Sequence, residues 1–153
     1  MTLHLSKQHA DAIRTHGEQG YPHEVCGLLL GRFDSDGSRV VGEIFALENE
    51  RIDSRTNRYS VSGASMFRAE RHASSAGLAV IGYYHSHPNA PARPSEYDLT
   101  HATWPGISYP IVSVIEGVAG EIRNWTLLED RSGFVEERFV VAGEPESSAA
   151  TQS

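Results

Sequence analysis

The sequence predicts one layered domain of the α/β or α+β class, built on a mixed sheet. The chain has 153 residues, a length that suits a single domain with its own hydrophobic core. Short apolar runs typical of buried strands are interrupted by two longer segments rich in helix formers. Because the resulting order is helix, strands, helix, strands, the chain does not fit a regularly alternating, doubly wound fold.

The first third of the chain predicts a capped helix followed by a β-hairpin. Ser6 is suited to accept a hydrogen bond at a helix N-terminus, and Gly20 is suited to end the helix. Two apolar runs flank "DSDG", which has the composition of a turn. The predicted elements are a strand at 2–5, a helix from Ser6 to about Gln19, and strands at 25–33 and 39–47.

The middle and end of the chain predict a second helix, a short third helix and more strands. The run "LAVIGYYHSH" is the clearest buried strand, and the three prolines that follow it exclude regular structure. The turn "GVAG" separates two later strands. The predicted elements are a loop at 51–58, a strand at 59–62, helices at 64–76 and 95–103, and strands at 78–87, 109–116, 121–128 and 134–141.

Composition sets the domain boundary and limits the partners. Residues 1–142 form one predicted domain, and the small polar residues 143–153 predict a disordered tail. A formal net charge of -7 argues against nucleic acid and against an anionic membrane surface as partners. The single cysteine, Cys26, forbids an intrachain disulfide. We see no signal peptide and no membrane-length apolar run, so we expect a cytoplasmic protein.

A possible metal site lies in "YYHSHPNAPARPSEYD", residues 83–98. In a strand, residues i and i+2 face the same side, so His85 and His87 project together. Asp98 follows the proline-rich loop and can supply a carboxylate oxygen. Two imidazole nitrogens and one carboxylate oxygen make three protein ligands, and a catalytic zinc site typically keeps three and leaves the fourth position to water.

Each half of this pattern also has a purely structural interpretation. Histidines are common at polar strand ends, so a His-x-His pair alone is a weak signal. Ser95 and Asp98 have the spacing of a capping box, with Ser95 as N-cap. The structural and ligand roles are compatible, because a capped helix start holds a carboxylate rigidly. The combination of all four residues is more specific than either pair.

The segment His85-x-His87-Pro…Pro-Ser95-x-x-Asp98 resembles the JAMM motif of the MPN-domain metallopeptidases. That motif also includes an upstream glutamate near an apolar strand, and "HEVCGLLLG" supplies Glu24 directly before one. The resemblance implies an α/β fold with a mixed, mainly antiparallel curved sheet flanked by helices. This MPN/JAMM fold is similar to that of the cytidine deaminases. The chain looks like the small stand-alone prokaryotic members.

The resemblance also implies a role for each motif residue. His85, His87 and Asp98 would hold one Zn²⁺ per chain. Glu24 would act as general base on the attacking water, and Ser95 would stabilise the oxyanion of the scissile carbonyl. The implied activity is hydrolysis of the amide bond after the C-terminal Gly-Gly of a ubiquitin-like or sulfur-carrier protein, which would be the partner.

Two other functions fit parts of the sequence. A non-catalytic MPN scaffold is the alternative, although such scaffolds have lost metal ligands that are all present here. A zinc nucleobase deaminase would need Pro-Cys-x-x-Cys, which a chain with one cysteine cannot supply.

Other residues with reactive or aromatic side chains are weaker candidates for the site. Cys26 is predicted to be a core residue rather than a nucleophile. His101 is three residues after Asp98 and shares its helix face. The other histidines lack ligand spacing, and Trp104 and Tyr109 are predicted to lie in the core rather than to line a substrate channel.

Overall fold

The structure, a computed structural model, describes residues 1–48, 63–102 and 104–143. The predicted loop at 51–58, the strand at 59–62 and the tail from residue 144 lie outside these ranges. Every predicted helix and strand inside them is present, and no described helix is both long and apolar enough to cross a bilayer. The elements are β1 (Thr2–Ser6), α1 (Lys7–Gly20), β2 (Cys26–Phe33), β3 (Arg39–Leu47), α2 (Gly63–Ser75), β4 (Ala79–Pro88), α3 (Glu96–His101), β5 (Ser108–Ile115), β6 (Val118–Leu127) and β7 (Phe134–Ala142).

The seven strands form one mixed sheet that closes on itself in the order β1-β3-β2-β4-β5-β6-β7. Pairings β2–β3, β2–β4, β5–β6 and β6–β7 are antiparallel, and the other three are parallel. The expected mixed sheet is confirmed, but it closes into a barrel, so the expectation of a curved sheet is wrong in this respect. Closure comes from β1, which pairs with β3 through Leu3↔Arg39 and with β7 from Thr2↔Arg138 to Ser6↔Ala142.

Two apolar cores lie on the two faces of this closed sheet. On the inner face, α1 contacts six of the strands, and its buried side is formed by Ala10, Ile13 and Gly17. A Cβ at Gly17 would lie 3.1 Å from Val114 Cγ2, so glycine allows the close approach of helix and sheet. On the outer face, α2 packs against β2 and β4. Helix α3 also packs on the outer core, through its residue Leu99.

The hairpin between β5 and β6 is tighter than the sequence predicts. Val118 pairs with Ile115, so "GVAG" is largely strand and its assignment as a turn is wrong. The turn consists of Glu116 and Gly117, whose φ angles are 48° and 84°. Positive φ at both central residues is the geometry that two-residue hairpins favour, because it matches the twist of the strands.

A buried polar cluster lies on the inner face and connects four strands. The Arg39 guanidinium on β3 donates to Glu137 Oε2 on β7 at 2.6 Å and to the Gly106 carbonyl at 2.8 Å. Ser108 on β5 and Asn124 on β6 each donate to Glu137 Oε1 at 2.7 Å. The side chains of Arg39 and Glu137 are 8% and 7% exposed. Each charge therefore depends on its partner to compensate for the lost hydration.

We expect Glu137→Gln to lower the free energy of unfolding by about 3–5 kcal/mol, since it leaves the buried Arg39 without its counter-charge. Urea denaturation followed by circular dichroism measures the change. The matched control is Glu136→Gln, one residue away. Glu136 pairs with Arg123 at partly exposed positions, so its loss is expected to cost below about 1 kcal/mol. Equal effects of the two substitutions would contradict the assignment of Glu137 as a buried structural charge.

Candidate metal centre

Strand β4, which pairs with β2 and β5, carries the two motif histidines into the site. His85 pairs with Cys26 of β2 and with Ile111 of β5, and His87 pairs with Ser113 of β5. Both histidines lie on the outer face, because residues i and i+2 of a strand share a side. The paired neighbours fix the strand backbone, so the two imidazoles meet at a defined position.

Helix α3 supplies the third ligand candidate through its first turn. Ser95 is the N-cap, and its Oγ accepts from the Asp98 amide at 3.1 Å. In return, the Ser95 amide donates to Asp98 Oδ2 at 2.8 Å. The predicted capping box is therefore present. The same Oδ2 atom faces both histidines, so the cap orients the carboxylate toward the imidazoles.

Three donor atoms converge from these two elements. The Nε2 atoms of His85 and His87 are 3.0 Å apart, and they lie 3.2 Å and 3.0 Å from Asp98 Oδ2. Ligands held about 2.0–2.1 Å from a tetrahedral ion would be about 3.3 Å apart. All three residues are buried, and among the described residues they form a group able to hold a metal ion.

The pKa shifts of His85 and Asp98 suit metal binding. Burial lowers the pKa of His85, although the Asp98 carboxylate opposes the change. Burial alone would raise the pKa of Asp98, but the neighbouring imidazoles of His85 and His87 and the hydrogen bond from the Ser95 amide hold it well below its usual range. A neutral imidazole and an ionised carboxylate are the forms that bind metals.

The family of the chain follows from the domain that contains this site. Residues 6–128 match the family model described as prokaryotic homologs of the JAB domain. This chain belongs to that JAB-domain family. The match extends from the N-cap of α1 to the end of β6 and includes both halves of the motif.

Individual relatives resemble this JAB domain over most of its length. A desampylase of Haloferax volcanii is 35% identical over 115 residues, covering 72% of this chain and 80% of the relative. A CysO-cysteine peptidase of Mycobacterium tuberculosis is 29% identical over 119 residues, covering 78% of each. A solution structure of a Salinibacter ruber protein is 40% identical, covers 94% of both chains and has a TM-score of 0.73.

Glu24 of the JAB domain lies two residues before β2, whose first residue pairs with His85. Val25 donates its amide hydrogen to Ser86 Oγ at 2.9 Å, and the Ser86 amide donates to the Val25 carbonyl at 3.0 Å. These bonds extend the register in which Cys26 faces His85. Extended by one pair beyond these bonds, that register implies a position for Glu24 opposite His87. Glu24 is 5% exposed.

Ser95 differs from the other motif residues because it is exposed. Its oxygen is occupied as the acceptor of the Asp98 amide hydrogen. A serine hydroxyl has one proton of its own as well as its acceptor lone pairs. Capping α3 and donating a hydrogen bond to a bound molecule are therefore compatible roles.

The weaker candidates lie outside the metal-ligand group. Cys26 is fully buried, and burial raises the pKa of its thiol to about 12, so it is a neutral core residue at pH 7. His101 is exposed, stacks on Tyr97 and directs Nδ1 to the Tyr97 carbonyl. The prediction of a core position is confirmed for Tyr109, which is 5% exposed, but wrong for Trp104, which is 44% exposed.

One contact of the site has no counterpart in the motif. His87 Nδ1 lies 2.8 Å from the carbonyl oxygen of Pro91. A carbonyl can only accept, so Nδ1 carries the proton, and in the neutral ring the Nε2 lone pair points to the site. The sequence gives no signal for this contact beyond the prolines that exclude regular structure.

Proposed function

We propose that this chain is a zinc-dependent peptidase that hydrolyses the amide bond after the C-terminal Gly-Gly of a ubiquitin-like or sulfur-carrier protein. The observation that carries the proposal is the convergence of His85, His87 and Asp98. Two nitrogen ligands and one oxygen ligand form the set that catalytic zinc sites use. A zinc ion bound there would supply Lewis acidity and lower the pKa of a water molecule toward about 7.

Glu24 is the proposed general base. Its burial and the position opposite His87 that the extended register implies support this role, because a base must lie within hydrogen-bond reach of the attacking water. The carboxylate takes one proton from the water as the oxygen attacks the scissile carbonyl. When the C–N bond breaks, the same proton passes to the leaving amine.

Ser95 is the proposed donor to the developing oxyanion. It is exposed beside Asp98, where a substrate carbonyl can reach its hydroxyl. A donor held before the reaction begins needs no reorganisation when negative charge forms on the carbonyl oxygen. The capping bond to the Asp98 amide keeps the Ser95 oxygen in place.

The names of the relatives support a carrier protein as substrate. One relative is a desampylase and another is a CysO-cysteine peptidase, and each matches this chain over most of its own length. We propose that the leaving group is cysteine, a peptide or a lysine-linked protein. All three share the amide that follows the Gly-Gly tail, so one site can process any of them.

The test is a mass-spectrometric cleavage assay with the zinc-loaded full chain. The substrates are ubiquitin-like carriers that end in Gly-Gly, each extended by cysteine, by a short peptide or by an isopeptide-linked lysine. We expect release of the free carrier, with the new C-terminus after the second glycine. A protein that binds no zinc and cleaves none of the panel would favour the non-catalytic scaffold.

A further inference from the structure

The loop at 88–94 is held by side chains from three neighbouring strands. Its three prolines have no backbone N–H, so the loop can form few hydrogen bonds of its own. Instead, three consecutive carbonyl groups, those of residues 90–92, each accept from a different strand. The donors are Ser113 on β5, His87 on β4 and Trp125 on β6.

The distances show that each of these bonds is well formed. Ser113 Oγ donates to the Ala90 carbonyl at 2.6 Å, and Trp125 Nε1 donates to the Ala92 carbonyl at 3.0 Å. Between them, the Pro91 carbonyl accepts a hydrogen bond from His87 Nδ1 at 2.8 Å. The two outer bonds therefore fix the peptide units on both sides of the carbonyl that His87 contacts.

Packing restricts the same segment. Ala92 is fully buried although it belongs to a loop, and Ser113 is 8% exposed. The guanidinium of Arg123 lies 5.4 Å from the centre of the Trp125 ring and pairs with Glu136 of β7. The indole that donates to the loop is thus covered on one face by a cation that is itself held in place.

We propose that Trp125 and Ser113 are positioning residues for the metal centre, acting through the Pro91 carbonyl on His87. The inference rests on the proposed function, since it assumes that His87 binds zinc through Nε2. A hydrogen bond at the other ring nitrogen fixes the tautomer and the direction of a ligating imidazole. When the Pro91 carbonyl is not fixed by its neighbours, His87 can rotate away from His85 and Asp98.

The test compares Trp125→Phe with Trp104→Phe, since these are the two tryptophans of the chain. Phenylalanine keeps an aromatic ring and removes the indole donor. Zn²⁺ affinity of the full chain is measured by competition with a chromophoric chelator. We expect the dissociation constant to rise about 10-fold for Trp125→Phe, the lower end of the effect of losing an outer hydrogen-bond partner. For the exposed Trp104 we expect a change below about twofold.

A second variant and a second readout separate positioning from stability. Ser113→Ala removes only one hydroxyl and is expected to weaken zinc binding several-fold. In the zinc-free protein, the His87 Nδ1 proton is followed by NMR, and its exchange with solvent is expected to be faster in both variants. The zinc dissociation constant and the exchange rate of the His87 Nδ1 proton should both rise, even in a variant whose melting temperature is unchanged.

The outcomes are distinguishable. Wild-type zinc affinity and unchanged His87 proton exchange in Trp125→Phe and Ser113→Ala would overturn this inference and leave the proposed function intact. A wild-type chain that binds no zinc would overturn the metal centre and this inference together. Weaker zinc binding in both variants, with Trp104→Phe unaffected, is the supporting result.

Discussion

Replacing Glu24 with glutamine is expected to lower the rate of conjugate cleavage about 10²–10⁴-fold while zinc content stays at the wild-type level. The amide has nearly the size of the carboxylate but cannot accept a proton from water. Because Glu24 lies outside the metal-ligand group of His85, His87 and Asp98, its replacement leaves the ligands unchanged. Single-turnover cleavage of a Gly-Gly-extended carrier, together with metal analysis of the same sample, measures both quantities.

The control for this substitution is Glu129→Gln, which makes the same chemical change at an exposed position. We expect it to cleave at the wild-type rate. Turnover of Glu24→Gln within a few-fold of wild type would exclude Glu24 as the base. Loss of zinc in that variant would instead assign Glu24 to metal binding.

Replacing Asp98 with alanine is expected to abolish stoichiometric zinc binding and, with it, cleavage. The substitution removes the one anionic ligand and leaves two neutral imidazoles. We expect the zinc dissociation constant to rise by more than the 10–100-fold typical of losing an outer hydrogen-bond partner. Metal analysis after dialysis and chelator competition report the loss.

Two further variants separate the ligand role of Asp98 from its capping role. Asp98→Asn keeps an oxygen that can accept from the Ser95 amide, so it should keep most of the stability and still lose zinc. Glu96→Gln removes a negative charge from the same helical turn at an exposed position and should bind zinc normally. Full zinc occupancy in Asp98→Ala would contradict the ligand assignment.

The strands and the metal-ligand group could be predicted because their signals are local. The alternation of a strand puts His85 and His87 on one side, and the spacing of Ser95 and Asp98 encodes a cap. The structure brings these signals together, with donor atoms 3.0–3.2 Å apart. Zinc binding by His85, His87 and Asp98 remains a prediction, and so do the roles of Glu24 and Ser95, because these concern binding and reaction rather than conformation.

Closure of the sheet and anchoring of the loop could not be predicted, because both depend on distant residues. Nothing within the five residues of β1 indicates that Thr2 pairs with Arg138. The hydrogen bond from Trp125 to the Ala92 carbonyl likewise depends on how β6 lies beside the loop. The wrong prediction of the hairpin turn has a different cause. Gly120 is a residue type common in turns, but here it lies within strand β6.

The pairing of β1 with β7 imposes an order on the folding of this protein during its synthesis. As the chain leaves the ribosome, β1 can pair with β3 early, but its other edge stays open until β7 has emerged. The apolar side of α1 also stays partly uncovered until β5, β6 and β7 have emerged, because these strands complete its contacts. The nascent chain therefore presents an unpaired strand edge and an uncovered helix face until β7 has emerged, and during this period aggregation or chaperone binding is most favoured. All three metal-ligand candidates precede Ser113 and Trp125 in the chain, so metal binding in the mature geometry would follow the arrival of β5 and β6.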